Sequence, residues 1–218
     1  PYTHSGVLPS MIAMNKYFSK QVFIKNKIKT PNYFFLKRSD FSVLNLKQEI
    51  KKNKMKFPIV IKPNDEGSSI GVKICKTYSS LMLAFKTLRK KYDNLIFETF
   101  IPGKEIQVAV IGGKGIGAIE LRPRREFYDY AAKYKKSSKT LHVMPAEISK
   151  KKYNEVLKIA EKANKALKCR GVVRCDFRFN KNKFYLLELN TQPGMTSLSL
   201  VPEIAQYYKI SFTKLVKW

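Results

Sequence analysis

The sequence predicts a mixed α/β (α+β) fold. Three features carry that prediction: segments with apolar residues at helical spacing, shorter apolar runs of strand character, and Gly, Pro and Asn turn signals between them. No internal repeat or low-complexity linker interrupts the pattern. A first helix is expected over 8–25, with Met11, Ile12, Met14, Phe18 and Val22 supplying the apolar spacing and Thr30-Pro31 closing the unit. Strands are expected at 57–62 and 70–75, separated by a polar Gly loop over 63–69. A second helix over 79–92 places Leu81, Ala84, Phe85 and Leu88 on one side. Three further strands follow at 94–100, 105–111 and 116–121, with Gly112-Gly113 as a turn. Residues 122–140 have dense charge, clustered tyrosines and weak periodicity, which predicts a long functional or disordered loop. A third helix over 149–167 leads into a hairpin.

That hairpin holds the first chemical signal. Arg174, Asp176 and Arg178 alternate with Val173, Cys175, Phe177 and Phe179 along one strand, so the two sets occupy opposite faces. In the next strand Tyr185, Leu187 and Leu189 are expected as the apolar partners, with Glu188 and Asn190 opposite them, before Pro193-Gly194 breaks the run. A three-residue loop Asn180-Lys181-Asn182 would pair Phe179 with Lys183, Arg174 with Glu188 and Asp176 with Leu186. Two carboxylates and an amide on one face are hard oxygen donors of the kind Mg2+ takes together with phosphate oxygens. An edge hairpin with a solvated polar face, and Arg174 bridging Glu188, is the other reading of the same residues.

The segment Lys62-Pro-Asn-Asp-Glu-Gly-Ser-Ser-Ile-Gly71 is the second signal. It sets a lysine at the end of an apolar strand, followed by small residues whose backbone N–H groups suit phosphate. It lacks the Lys-Ser/Thr pair and following helix of a Walker loop, and a Gly-Ser hairpin explains it equally well in isolation.

Composition sets the outer limits. At 218 residues and 44% hydrophobic, the chain can bury one large or two small cores. No apolar run is long enough to cross a bilayer, and no signal peptide is visible, so no membrane partner is expected. Cys75, Cys169 and Cys175 have neither zinc spacing nor an even count, which predicts reduced thiols and a cytoplasmic protein. The net charge of +27 comes from lysines spread over nearly every segment. A solvated lysine surface is therefore favoured over a specific nucleic-acid patch. The start at Pro1, without Met, leads us to expect a piece of a longer protein.

Six motifs in order carry a resemblance. Tyr2-Thr-x-Ser-Gly6, Ala13-Met-Asn-Lys16, Ile61-Lys-Pro63, Glu66-Gly-Ser-Ser69, Phe127-Tyr-Asp-Tyr130 with Lys133-Tyr134, and Leu187-Glu-Leu-Asn-Thr-x-Pro-Gly-Met-Thr-Ser197 together resemble the D-alanine–D-alanine ligase family of the ATP-grasp superfamily. The resemblance covers essentially the whole chain and implies two α/β subdomains with antiparallel sheets clamping a nucleotide, a central one over 1–97 and a C-terminal one over 98–218.

The resemblance also implies roles. Lys16 and Lys62 would bind ATP phosphates under the loop Glu66, Gly67, Ser68 and Ser69. Glu98 to Ile101 would edge the adenine, with Phe100 on the base, and Glu105 would take the ribose hydroxyls. Lys133 would reach the terminal phosphate, and Asp176, Glu188 and Asn190 would hold two Mg2+ (or Mn2+) ions. Arg174 and the Gly194 N–H would meet the oxyanion, with Ser199 and Leu200 beside the second D-alanine. Ser68 and Tyr134 would link the two loops to a glutamate of an N-terminal domain that this sequence does not contain, so little or no ligation is expected of the chain alone. Homodimers are common in such proteins. The sequence departs from the family pattern at His4, Gln192 and Leu198, where Gly, Ser and His are usual, and Leu198 leaves the acceptor open. The bland readings are a solvated Lys16 or Lys133, a core Phe100, a strand-edge Glu105 and Ser199 as a helix cap.

Overall fold

The computed structural model describes residues 2–41, 45–122, 140–196 and 198–218. Where one opening helix is expected, the chain forms two, α1 (Val7–Met14) and α2 (Lys16–Lys25). Asn15 divides them: its backbone leaves helical geometry, and its side chain accepts from the Phe18 N–H at 3.0 Å as the N-cap of α2. Asn64 takes the next two N–H groups of that helix end. Its carbonyl accepts from Lys16 N and its side-chain oxygen from Tyr17 N at 2.9 Å. This fixes α2 against the first sheet.

That sheet has the order β1-β4-β2-β3, from β1 (Tyr33–Lys37), β2 (Ile59–Pro63), β3 (Lys73–Cys75) and β4 (Asn94–Thr99), all antiparallel. Helices α3 (Leu46–Lys52) and α4 (Tyr78–Leu88) help build its core with Phe34, Leu36, Ile59, Ile61, Leu95 and Phe97. A reciprocal Thr77–Ser80 capping box starts α4. The expected returning strand at 70–75 is shorter than the sequence suggests. The turn that starts at Ser68 runs on through Gly71, whose φ of 70° no strand accommodates, and the ladder begins only at Lys73.

The second sheet has the order β7-β6-β5-β8-β9, again antiparallel, from β5 (Lys104–Ile111), β6 (Lys114–Arg122), β7 (Leu141–Val143), β8 (Val172–Asn180) and β9 (Lys183–Asn190). Helix α5 (Lys150–Ala166) buries Val156, Ala160 and Ala163 against one face, with Ile106, Val108, Val173 and Cys175. Ala13 and Phe23 of the opening helices join the same core, so α1 and α2 pack on this sheet while α2 begins at the other. On the opposite face α6 (Leu200–Tyr207) and α7 (Phe212–Lys217) cover the β5–β6 side through Ala109, Ile119, Leu121, Ile204 and Leu215. Gly117 makes that contact possible, since a Cβ there would lie 2.3 Å from the Tyr208 ring and 2.9 Å from Ile204. The β8–β9 side of this face remains open to the first sheet.

The β8–β9 register corrects the expectation. The loop has two residues, Lys181 and Asn182, both at positive φ (46° and 60°), as a tight hairpin of the I′ kind requires. Phe179 therefore faces Phe184. A bulge after Asp176 then inserts one extra residue in β9, so that Asp176 faces Glu188 and Arg174 faces Asn190. The bulge also changes which leucines are core. Phe184, Leu186 and Leu189 are buried, while Leu187 lies on the open face beside Glu188. Without it, strict alternation would put Glu188 on the same side as Phe184 and Leu186, inside the apolar core.

Candidate active site

The site lies along the seam between the sheets and has two cavities. The first, of about 140 Å3, runs from the first sheet (Val60, Lys62, Ile74) past the connecting segment Glu98–Ile101 to Glu105, Asp176, Leu187 and Glu188 of the second. The second, of about 400 Å3, is lined by α1 residues Ser10, Ala13 and Met14, by Gln107, Arg174 and Asn190, and by Gly194, Ser199 and Leu200. Lys16, Glu66, Gly67 and Glu188 belong to both, so the two spaces meet at a lysine and a carboxylate. Ser68 turns toward the larger space and Ser69 toward the smaller.

Three lysines converge on the smaller cavity and its rear wall. Lys16, at the first position of α2, sends its Nζ back to the carbonyl oxygens of Glu66 and, at 3.4 Å, of Asn64. Burial pulls its ammonium below the ordinary lysine range, against the attraction of Glu188. Lys62, near the end of β2, lies 3.0 Å from Glu98 Oε2. Lys20, one turn beyond Lys16, lies 3.1 Å from Glu98 Oε1 at an angle outside hydrogen-bond geometry and donates to Thr30 Oγ1 at 2.5 Å. Burial would raise the Glu98 carboxyl, but two cations on one carboxylate outweigh it and bring it to about 2. Lys20 shares its counter-ion with Lys62, so burial wins there and its pKa falls to about 8. Glu98 thus lines the cavity while its carboxylate is engaged with lysines.

Arg178 shapes the connecting segment. Its guanidinium donates to the carbonyls of Ile101 (2.9 Å) and Gly103 (2.8 Å), approaches Glu105 at 3.4 Å and sits over the Phe100 ring. The Phe100 N–H is held by Pro58 O. Phe100 and Glu105 are thereby fixed at one wall of the cavity by a residue that the sequence reading placed on the polar face but gave no task.

In the larger cavity Arg174 clasps Asp176 along its own strand, Nε to Oδ1 at 2.7 Å and a terminal nitrogen to Oδ2 at 2.9 Å. The residue across from it is Asn190, not Glu188. Asn190 Oδ1 accepts from Gln192 N at 2.9 Å and holds the turn that follows. Ser199 stands at the N-cap of α6 but makes no capping bond. Its Oγ instead accepts from Thr196 N and lies 2.9 Å from Thr196 Oγ1, and a Cβ on Gly194 would come within 2.7 Å of it. Gln107 escaped the sequence reading. It is 1% exposed on the wall of this cavity, and among the described residues its Oε1 has no hydrogen-bond partner. A polar residue between Ile106 and Val108-Ala-Val110 was the available signal.

The structure therefore brings together Lys16, Lys62, Glu66, Gly67, Ser69, Glu98, Phe100, Ile101, Glu105, Asp176 and Glu188 at one cavity, and Arg174, Asn190, Ser68, Gly194, Ser199 and Leu200 at the other. Lys133 and Tyr134 lie outside the described residues. Among the described residues no group of three His, Cys, Asp or Glu side chains could hold a metal. The oxygen donors near a cation would be Asp176 and Glu188, opposite each other in the β8–β9 register, and the Asn190 amide. Arg174 holds both Asp176 oxygens and Gln192 N the Asn190 oxygen, so their remaining lone pairs would complete an all-oxygen set of the kind Mg2+ takes with phosphate and water.

Two antiparallel sheets facing each other over a lysine-lined seam are the ATP-grasp architecture. The family model described as "D-ala D-ala ligase C-terminus" matches residues 22–218. The D-alanine–D-alanine ligase of Pelagibacter ubique is 53% identical over 220 residues, covering all of this chain and 70% of that protein. That of Geotalea uraniireducens is 41% identical, with 68% of its length covered. Among solved structures, the Bacillus anthracis D-alanine–D-alanine ligase complexed with ATP matches the whole chain at a TM-score of 0.85 and 30% identity, over 68% of its own length. The Enterococcus faecalis VanG D-Ala:D-Ser ligase matches at 0.88 and 27%, over 63%. The chain belongs to the D-alanine–D-alanine ligase family, a family of ligase enzymes.

Proposed function

We propose that this chain carries the nucleotide and amino-acid sites of an ATP-dependent ligase that joins two D-alanines for peptidoglycan precursor synthesis in the cytoplasm. The observation that carries the reading is the junction of the two cavities at Lys16, Glu66, Gly67 and Glu188. A nucleotide in the smaller space would present its terminal phosphate to an amino acid in the larger one. Phe100 and Ile101 form the base wall, Glu105 faces the ribose, and Lys16, Lys62 and the N–H groups of the 66–69 loop meet the phosphates.

The chemical task follows from the poor reactivity of a carboxylate toward an amine. An oxygen of the first D-alanine carboxylate attacks the γ-phosphorus, the bond to the bridging oxygen of ADP breaks, and an acyl phosphate results. The amine of the second D-alanine then adds to that carbonyl, phosphate leaves and the amine loses a proton. Protein groups contribute mostly position and charge: lysines offset the phosphoryl oxygens, and Arg174 with the Gly194 N–H would meet the oxyanion. Asp176, Glu188 and Asn190 would hold Mg2+, which when bound neutralises phosphate charge. In this reading Lys133 would meet the terminal phosphate, Tyr134 would act with Ser68, and Ser199 and Leu200 would hold the second amino acid.

The test is calorimetric titration of the folded chain with Mg-ATP, followed by chromatographic detection of ADP and of dipeptide or depsipeptide with D-alanine, D-serine or D-lactate as acceptor, in a fusion that adds the part of the Pelagibacter ubique relative that this chain does not cover. A folded chain without Mg-ATP affinity would refute the reading. Preference for D-serine or D-lactate would move the acceptor while leaving the ATP chemistry in place. Among the described residues no helix is long and apolar enough to cross a membrane.

A further inference from the structure

Lys20 is wholly enclosed, at 0% exposure, so no ligand can touch it. Its ammonium has three neighbours: Glu98 Oε1 at 3.1 Å, Thr30 Oγ1 at 2.5 Å and the face of the Tyr33 ring at 5.4 Å. The other oxygen of the same carboxylate holds Lys62 at 3.0 Å, and Lys62, unlike Lys20, lines the cavity. Two lysines thus share one buried carboxylate, and the cluster keeps one net positive charge. Of the two lysines only Lys62 lines the cavity, where a ligand can meet that excess. The geometry of α2 makes the division possible, because Lys16 and Lys20 are four residues apart on its buried face. One lysine opens into the site and the other lies behind it.

We propose that Lys20 is a positioning residue for nucleotide binding: its ammonium, 3.1 Å from Oε1, offsets the charge of Glu98, so that Lys62 keeps its own charge available for a phosphate group instead of spending it on that carboxylate. The inference rests on the nucleotide reading above. Without the Lys20 ammonium, Glu98 and Lys62 would close into a neutral pair, and the cavity would lose one of its positive charges while keeping its shape. A merely structural ion pair makes a different prediction, since replacing such pairs by apolar groups is often neutral for the fold and carries no preference between ligands.

The experiment measures Mg-ATP and adenosine affinity by calorimetry for the wild-type chain, Lys20→Met and Lys20→Met/Glu98→Gln. Lys20→Met is expected to weaken Mg-ATP roughly tenfold or more, with adenosine changed less than about twofold. The double variant, which also removes the carboxylate that captures Lys62, is expected to regain most of the lost ATP affinity. Undiminished ATP affinity in Lys20→Met, equal losses for ATP and adenosine, or no recovery in the double variant would each overturn the proposal. If Lys20→Met does not fold, the double variant decides: ATP affinity within about fivefold of wild type supports the proposal, and a larger loss overturns it. Wild-type protein that binds no ATP would instead overturn the nucleotide reading itself.

Discussion

Glu98→Gln is the substitution that the structure makes most costly for its size. It keeps the shape of the side chain but leaves Lys20 and Lys62 buried beside a neutral amide, where the wild-type carboxylate lies 3.1 and 3.0 Å from them. Removing one partner of a buried ion pair costs about 3–5 kcal/mol. An independent estimate comes from linkage. The Glu98 carboxyl falls from 4.5 to about 2 on folding, and a shift of that size is worth roughly 3 kcal/mol. Because the folded-state value is the lower one, this stabilisation is complete above about pH 4.5 and is lost as pH falls toward 2. Urea unfolding at pH 7 should therefore show a loss of about 3 kcal/mol in Glu98→Gln, shrinking toward zero by about pH 2. Lys20 supplies a second check, with a slope of the same sign in a separate pH window. Its folded-state pKa is depressed, so the unfolded chain holds more protons between pH 8 and 10.5, and its contribution to stability rises with pH across that window. A Glu98→Gln variant within about 1 kcal/mol of wild type at pH 7 would refute the account of the lysine cluster.

Two further substitutions probe the framework and the larger cavity. Gly117→Val would drive a side chain into Tyr208 and Ile204 and should lower the melting temperature by several degrees, corresponding to about 1–3 kcal/mol of overpacking; an unchanged melt would contradict the α6 contact. Gly194→Ala would press its methyl group against Ser199 Oγ; it should cost little stability but weaken the amino-acid substrate, seen in the fusion described above as a raised KM for D-alanine with KM for ATP unchanged.

The order of elements was legible because periodicity and turn residues agree over most of the chain. The helices at 79–92 and 149–167 and the strands at 94–100, 105–111 and 116–121 occur within a few residues of their predicted places. The phase of β9 was not legible. Tyr185-Leu-Leu-Glu188 contains adjacent leucines, so alternation alone cannot say which faces the core, and the bulge that decides it depends on pairing with β8. The opening helix was read through Asn15 because its apolar spacing continues across the break, and the cap and the Asn64 contact that separate α1 from α2 are tertiary features. Lys20 was hidden by composition. In a chain with 43 Lys and Arg, one more lysine on an amphipathic helix carries no sign that it is buried. Glu98 was placed at the nucleotide by resemblance, but its partnership with two lysines depends on β2, β4 and α2 meeting in space.

The central claim is that Asp176, Glu188, Lys16 at the junction of the two cavities and Lys62 in the smaller one form one Mg-nucleotide site. It is tested most directly by titrating Mg-ATP into the folded wild-type chain and an Asp176→Asn/Glu188→Gln variant whose melt confirms that it folds. The account predicts that the wild type binds and that the variant loses Mg-ATP binding altogether. Equal affinity in the two proteins would contradict it.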